Sequence, residues 1–228
     1  MPQLLSDADH PEIQVVAKRL TSGAESDREA AEQLFGFVRD DILFGFPQTW
    51  NTVSASQTLT LGIGYCVTKA TLFHALCRAA GIGSRLHAGL ISKAILYGIL
   101  PPFAYPMQPA VVGHAWVELL LDGEWRQIDS YIVDNALYRA AEAKLAAEGR
   151  MTGYSLSRAH GPTSPEFNFG EMGYVQMGAV VAVHGVWDDF SGYMESDDYR
   201  GMNRLQNAAY PMLARLANRR VARLRTGE

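Results

Sequence analysis

The chain has 228 residues, 48% of them hydrophobic, enough to bury a substantial core in one domain. Its 20 Lys and Arg against 24 Asp and Glu leave a net charge of -4, without the clustered basic charge that phosphate neutralisation needs, so nucleic acid is excluded as a partner class. Two cysteines are too few for a disulfide scaffold, and Cys66 and Cys77, about 16 Å apart by helical rise if they share a helix, cannot bridge within it.

The opening MPQLLSDADHPEIQ has no basic segment leading into an apolar one, so a cytoplasmic location is the default expectation. Residues 11–22 and 25–44 carry helical periodicity. In the second, Ala30, Leu34, Phe37, Val38 and Ile42 mark one face, and Ser26 with Glu29 suggests a capping box. Residues 45–64 read as a loop ending in Gly62 and Gly64. A helix then opens at Cys66 with Ala70, Phe73, Cys77 and Ala80 on one face, stopped by Gly81 and Gly83. Cys77 belongs to the core, whereas Lys69 and His74 point away from the Cys66 face and are expected at the surface or rim.

Residues 84–95 have mixed β character. The longest uncharged run, 94–113, is long enough to span a membrane only on paper, because Pro101, Pro102, Pro106 and Pro109 break it; no membrane span is expected. His114 to Leu121 reads as a strand, Asp122-Gly123 as a tight hairpin turn, and Glu124 to Tyr131 as the return strand. A helix is expected over 135–148, a strand over 176–183, and a basic amphipathic helix over 201–225 with its arginines in water.

A cysteine at the first turn of a helix meets free backbone amides and the positive end of the helix dipole, which favour the thiolate and lower the thiol pKa. A nucleophile of this kind needs a base, and the base an orienting acceptor. The turn at Asp122-Gly123 pairs residues whose numbers sum to about 245, so His114 and Asp129 fall near cross-strand positions, within hydrogen-bond reach if they share a face. A cysteine such as Cys66, taken alone, is more often a small buried hydrophobe than a nucleophile. A zinc site from the three lacks a second Cys or His at ligand spacing, and no run of alternating carboxylates suggests calcium; no metal or other cofactor is expected.

The segments TLTLGIGYCVTKATLFHALCRAAGIGSRL and GHAWVELLLDGEWRQIDSY, in this order, resemble the core of the transglutaminase-like superfamily, a papain-related group of cysteine enzymes. The resemblance covers about residues 25–135. It implies an α+β fold in which the nucleophile helix packs on an antiparallel sheet, with Cys66 as nucleophile, His114 as general base and acid, and Asp129 orienting the imidazole. Residues 136–200 would complete the pocket, and 201–225 would add the C-terminal helix to a single domain. Tyr65, where many members have a polar residue, departs from the family pattern, as does Gly81-Ile82-Gly83-Ser84-Arg85 at the end of the helix.

The implied activity is a cysteine hydrolase or acyltransferase working on an amide or peptide bond through a Cys66 thioester. The alternative is a noncatalytic peptide- or protein-binding module on the same fold. The substrate class is a peptide or small amide. Trp50 and Gln57 are candidates for lining the site or donating to an oxyanion, and Tyr65 for shaping its mouth. Tyr97, Phe103 and Tyr105 in the proline-rich loop either fold against the core or form a wall for an apolar acyl or aromatic group.

Overall fold

The computed structural model describes residues 4–50, 52–169 and 174–227. Helix α4 (Cys66–Ala79) is its centre: α1 (Pro11–Thr21), α2 (Asp27–Asp40) and α3 (Ala55–Leu61) pack around it on one side and a four-stranded sheet on the other. The sheet runs in the order β5 (Glu124–Ile128), β4 (Val111–Leu121), β3 (Ser84–Ser92), β8 (Val180–Trp187), with every pair antiparallel. The implied α+β architecture is therefore the observed one.

Local chemistry explains the start and stop of α4. Short strands β1 (Leu43–Phe44) and β2 (Ile63–Gly64) pair in parallel just before it. A Cβ on Gly64 would stand 2.7 Å from Thr68 Oγ1 and 2.8 Å from Lys69 Cγ, so only glycine lets the chain enter the helix this closely. At the other end Gly81 takes φ +80°, and the amides of Gly81 and Ile82 donate to the carbonyls of Arg78 (3.0 Å) and Cys77 (2.9 Å), closing a Schellman motif.

Because α4 is enclosed all round, the expectation of an exposed face is corrected: Lys69 and His74 are both fully buried. Lys69 Nζ donates to the Arg39 carbonyl at 3.2 Å, and burial pulls its pKa down to about 7 despite Asp134 and Asp40 nearby. His74 bridges the Ser84 hydroxyl (2.9 Å) and the Asp188 carbonyl (3.0 Å). The loop expected over 45–64 is corrected too. It contains α3, begun by a reciprocal capping box between Ser54 and Gln57, a signature that was present in the sequence.

The hairpin turn is as expected, with Asp122 and Gly123 both at positive φ (56° and 79°). Val117 pairs with Ile128, so opposed residues do sum to 245. The return strand ends at Ile128, three residues earlier than expected, because residues 130–132 turn into a short 3-10 helix. Beyond it lie α5 (Asn135–Ala147), the small hairpin β6 (Thr152–Gly153) and β7 (Leu156–Ser157), and α6 (Phe190–Met194).

The last helix, α7 (Arg204–Thr226), is tied down over its C-terminal half. Arg225 grips the carboxylate of Asp134 through Nη2 (2.7 Å) and Nε (2.9 Å). The Asn218 side-chain amide accepts from the Phe46 amide (2.8 Å) and donates to its carbonyl (2.9 Å). Thus not all of the helix's arginines lie in water. The main hydrophobic core draws on residues from Ile13 to Leu224, and Ile91, Ile95 and Ala179 form a small second cluster.

Candidate active site

Cys66 is the first residue of α4, half-buried, with the backbone amides of Ala115, Val67 and Cys66 itself near its sulfur. The expected fall in its pKa is corrected. Desolvation pushes the thiol up to about 12, outweighing the amides that act in the opposite direction. The helix terminus contributes with the anticipated sign, but the apolar surroundings dominate.

His114 lies on β4, fully buried, and neither ring nitrogen has a hydrogen-bond partner. Its ring stacks on Trp116 (centroids 5.6 Å apart), which in turn stacks on His87 (5.0 Å). Burial lowers the imidazole to about 3. At neutral pH the resting protein therefore holds an uncharged thiol and an uncharged imidazole.

Asp129 follows the last residue of β5 with φ -133° and ψ -3°, which takes it out of the ladder. Oδ1 accepts from the Val175 amide at 2.7 Å, and Oδ2 accepts from Gln176 (2.8 Å) and Met177 (2.9 Å). The expected imidazole–carboxylate hydrogen bond is not among its contacts, because the carboxylate turns to the 175–177 backbone. Burial raises this carboxyl to about 7 while the three amides pull it down.

Cys66 and His114 both line one cavity of about 370 Å³. Trp50, Tyr65 and Phe103 line it with them. Trp50 stacks on Tyr65 (5.5 Å, 14° between ring planes), and its indole Nε1 has no partner. Gln57 is placed elsewhere: its side chain accepts from the Ser54 amide (3.0 Å), and it borders a separate surface depression with His10 and Thr60. Tyr97 and Tyr105 do not line the cavity and pack edge to face on one another at 5.8 Å. Tyr97 also carries the Arg150 guanidinium 3.7 Å from its ring centroid.

Tyr210, Gln176 and Ser155 are among the cavity residues absent from the candidates read from the sequence. Tyr210 of α7 is 7% exposed, its hydroxyl has no partner, and its pKa is raised by burial and by the nearby Cys66. Its spacing with Leu213, Ala214 and Ala217, which also line the cavity, follows the helical period and was a usable signal. Gln176 donates through Nε2 to the Ser155 hydroxyl (2.6 Å) and carbonyl (3.0 Å), closing one side of the cavity; no local pattern announces that pair. Among the described residues, no group of three or more His, Cys, Asp and Glu side chains is arranged to hold a metal, and no helix is long and apolar enough to cross a membrane.

Comparison with solved structures finds a candidate cysteine protease from Cytophaga hutchinsonii at 22% identity and TM-score 0.45, matched over 58% of this chain and 41% of that one. A candidate protease from Parabacteroides distasonis is 17% identical with TM-score 0.40, over 55% of this chain and 24% of that one. The match thus spans less than half the length of either structure. A comparison with curated proteins gives no match. The sequence model of the transglutaminase-like superfamily matches residues 14–130, just over half of the chain, from within α1 through Cys66 and His114 to Asp129. The chain belongs to the transglutaminase-like superfamily.

Proposed function

We propose that the protein is a cysteine-dependent hydrolase or acyltransferase that cleaves an amide or peptide bond through a thioester on Cys66. The observation carrying this reading is that a thiol at the start of a helix and an imidazole with no hydrogen-bond partner both line one cavity. His114 accepts the Sγ proton as sulfur bonds to the carbonyl carbon, then gives that proton to the leaving nitrogen as the C–N bond breaks. Water or an amine next attacks the thioester. His114 takes its proton and returns it to the departing sulfur, restoring the thiol and releasing acid or new amide.

The unpartnered hydroxyl of Tyr210 is suited to donate to the oxyanion that forms in each half-reaction. Asp129 has two roles in this scheme. Its three accepted amide bonds fix the 175–177 segment beside the cavity, and Oδ1, which takes only one of them, keeps the acceptor capacity needed to orient an imidazole N–H. Hydrolysis is the favoured outcome, because water needs no dedicated second site.

The raised thiol pKa supports a second reading, a noncatalytic binding module on the same fold. Incubating the wild type and Cys66→Ser with mixed peptide and small amides, with and without a primary amine, separates the two. Cysteine-dependent products identified by mass spectrometry establish the enzyme, and amine adducts mark acyl transfer. Identical, unreacted mixtures establish the module.

A further inference from the structure

The lining of the cavity beside Cys66 is mostly apolar, and besides Cys66, His114 and Tyr210 its polar side chains include Gln108, Ser155, Gln176 and Gln206. Cys66, His114 and Tyr210 bring its reactive groups together, and among the described residues no Asp, Glu, Lys or Arg lines it anywhere. Much of the wall comes from two segments about a hundred residues apart, the proline-rich loop and the N-terminal half of α7, with Phe44, Phe46 and Ile91 adding to it. Where the loop and α7 meet at the rim, Phe103 (60% exposed), Met107 (78%), Leu205 (79%) and Met212 (57%) present large apolar side chains to solvent.

A peptide chain is a poor occupant of such a space. Its buried amides and carbonyls would need partners, and polar side chains of the lining are already engaged: the Gln176 amide donates to the Ser155 hydroxyl, the Gln108 amide donates to the Ala104 carbonyl, and Gln206 Oε1 accepts from the Asn203 amide. A charged group would have no counter-charge. An alkyl chain asks for neither, and it would cover the four rim residues.

Resting on the Cys66 thioester reading, we infer that the substrate is the amide of an unbranched apolar acyl group, with its carbonyl at Cys66 and its tail running between the loop and α7 toward the rim. Size sets the length. A dry cavity of about 150 Å³ accommodates benzene, so the 370 Å³ present here holds roughly two and a half such volumes, room for an acyl chain of about eight to twelve carbons. The anchored C-terminal half of α7 holds this wall in place, and Ala209, half-buried on the cavity side, leaves part of the room.

The test is a series of acyl p-nitroanilides, acetyl through decanoyl, with the nine-carbon dicarboxylic monoanilide and a glutaminyl peptide p-nitroanilide as comparisons. Intact-protein mass spectrometry reads acyl-Cys66 in parallel. The expected result is a rise in kcat/KM of about two- to fourfold per added methylene up to the filling length, with the dicarboxylic and peptide substrates at or below the butanoyl level. Ala209→Trp, which fills part of the cavity, lowers the decanoyl-to-butanoyl ratio about tenfold or more. Acylation of Cys66 that is indifferent to chain length, or a preference for the peptide, overturns the inference and leaves the cysteine reading standing. An unchanged ratio in Ala209→Trp also overturns it. Absence of any Cys66 adduct overturns both.

Discussion

Replacing Arg225 with Met tests how α7 is held over the site. Asp134 is nearly inaccessible, and its carboxylate accepts from Arg225 Nη2 (2.7 Å) and Nε (2.9 Å), the Leu137 amide (3.0 Å) and the Phe44 amide (3.1 Å). Burial by itself would raise the Asp134 pKa, but the hydrogen bond and charge of Arg225 more than reverse that, and the carboxyl lies below its ordinary range. Methionine keeps much of the aliphatic stem and removes the charge, leaving a buried carboxylate with two amide donors. Removing one partner of a buried pair costs about 3–5 kcal/mol. The two surviving amide bonds place this case near ~3 kcal/mol. For a chain of this size each kcal/mol moves Tm by about 2–4 °C, so Tm should fall by about 6–12 °C near pH 7.

The sign with pH follows from the depressed carboxyl. The stability it contributes is present above the unfolded pKa of about 4 and is lost as pH falls through the lower folded value, so the gap between variant and wild type should hold from pH 8 to 6 and close in strong acid. Thermal unfolding followed by circular dichroism at several pH values measures this. A Tm loss under about 2 °C at pH 7, or a gap that widens in acid, would refute the claim that this pair fastens α7.

Three further outcomes are expected. Burial holds the Cys66 thiol near 12 and the His114 imidazole near 3, so alkylation of resting Cys66 by iodoacetamide should quicken about tenfold per pH unit from 6 to 9; a plateau starting in acid would reveal an ion pair instead. Tyr210→Phe should leave Tm unchanged, because the hydroxyl has no partner, yet lower kcat by ~10²-fold; a fall in Tm with unaltered kcat would assign Tyr210 to packing. The depressed His74 (about 4) and His114 (about 3) contribute stability above pH 6.5 that drains away as pH falls, at about 1.4 kcal/mol per unit each. Asp129, raised to about 7, works in the opposite direction between pH 7 and 4, so urea titrations should show a net loss of about 1.4 kcal/mol per unit across that window. A flat profile would contradict the buried, neutral state of the two histidines.

Local chemistry explains which parts were legible beforehand. The hairpin turn at Asp122-Gly123 sets a register that any reader can count, so the pairing of Val117 with Ile128 follows from residue numbers alone, whereas the end of β5 at the 3-10 turn does not. The stop at Gly81 and the opening of α4 at Cys66 carry equally local signals. The burial of Lys69 and His74 does not show, because Lys69 bonds a carbonyl on α2, and His74 bonds Ser84 on the next strand and a carbonyl more than a hundred residues downstream. None of these leaves a trace in the spacing of α4. The thiol pKa was misjudged for a related reason: the dipole of a helix can be inferred from its sequence, whereas desolvation depends on what long-range packing places beside it. Likewise Asp129 seemed committed to His114 until the 175–177 backbone arrived from a distant segment.

The most direct test of the account is to mix the protein with excess decanoyl p-nitroanilide, quench in acid within the first turnover, and weigh the intact chain. A mass gain of one decanoyl group on Cys66, absent in Cys66→Ser and greatly reduced in His114→Ala, is the predicted result. Release of p-nitroaniline at the same rate by Cys66→Ser, with no acyl group on the protein, would contradict it.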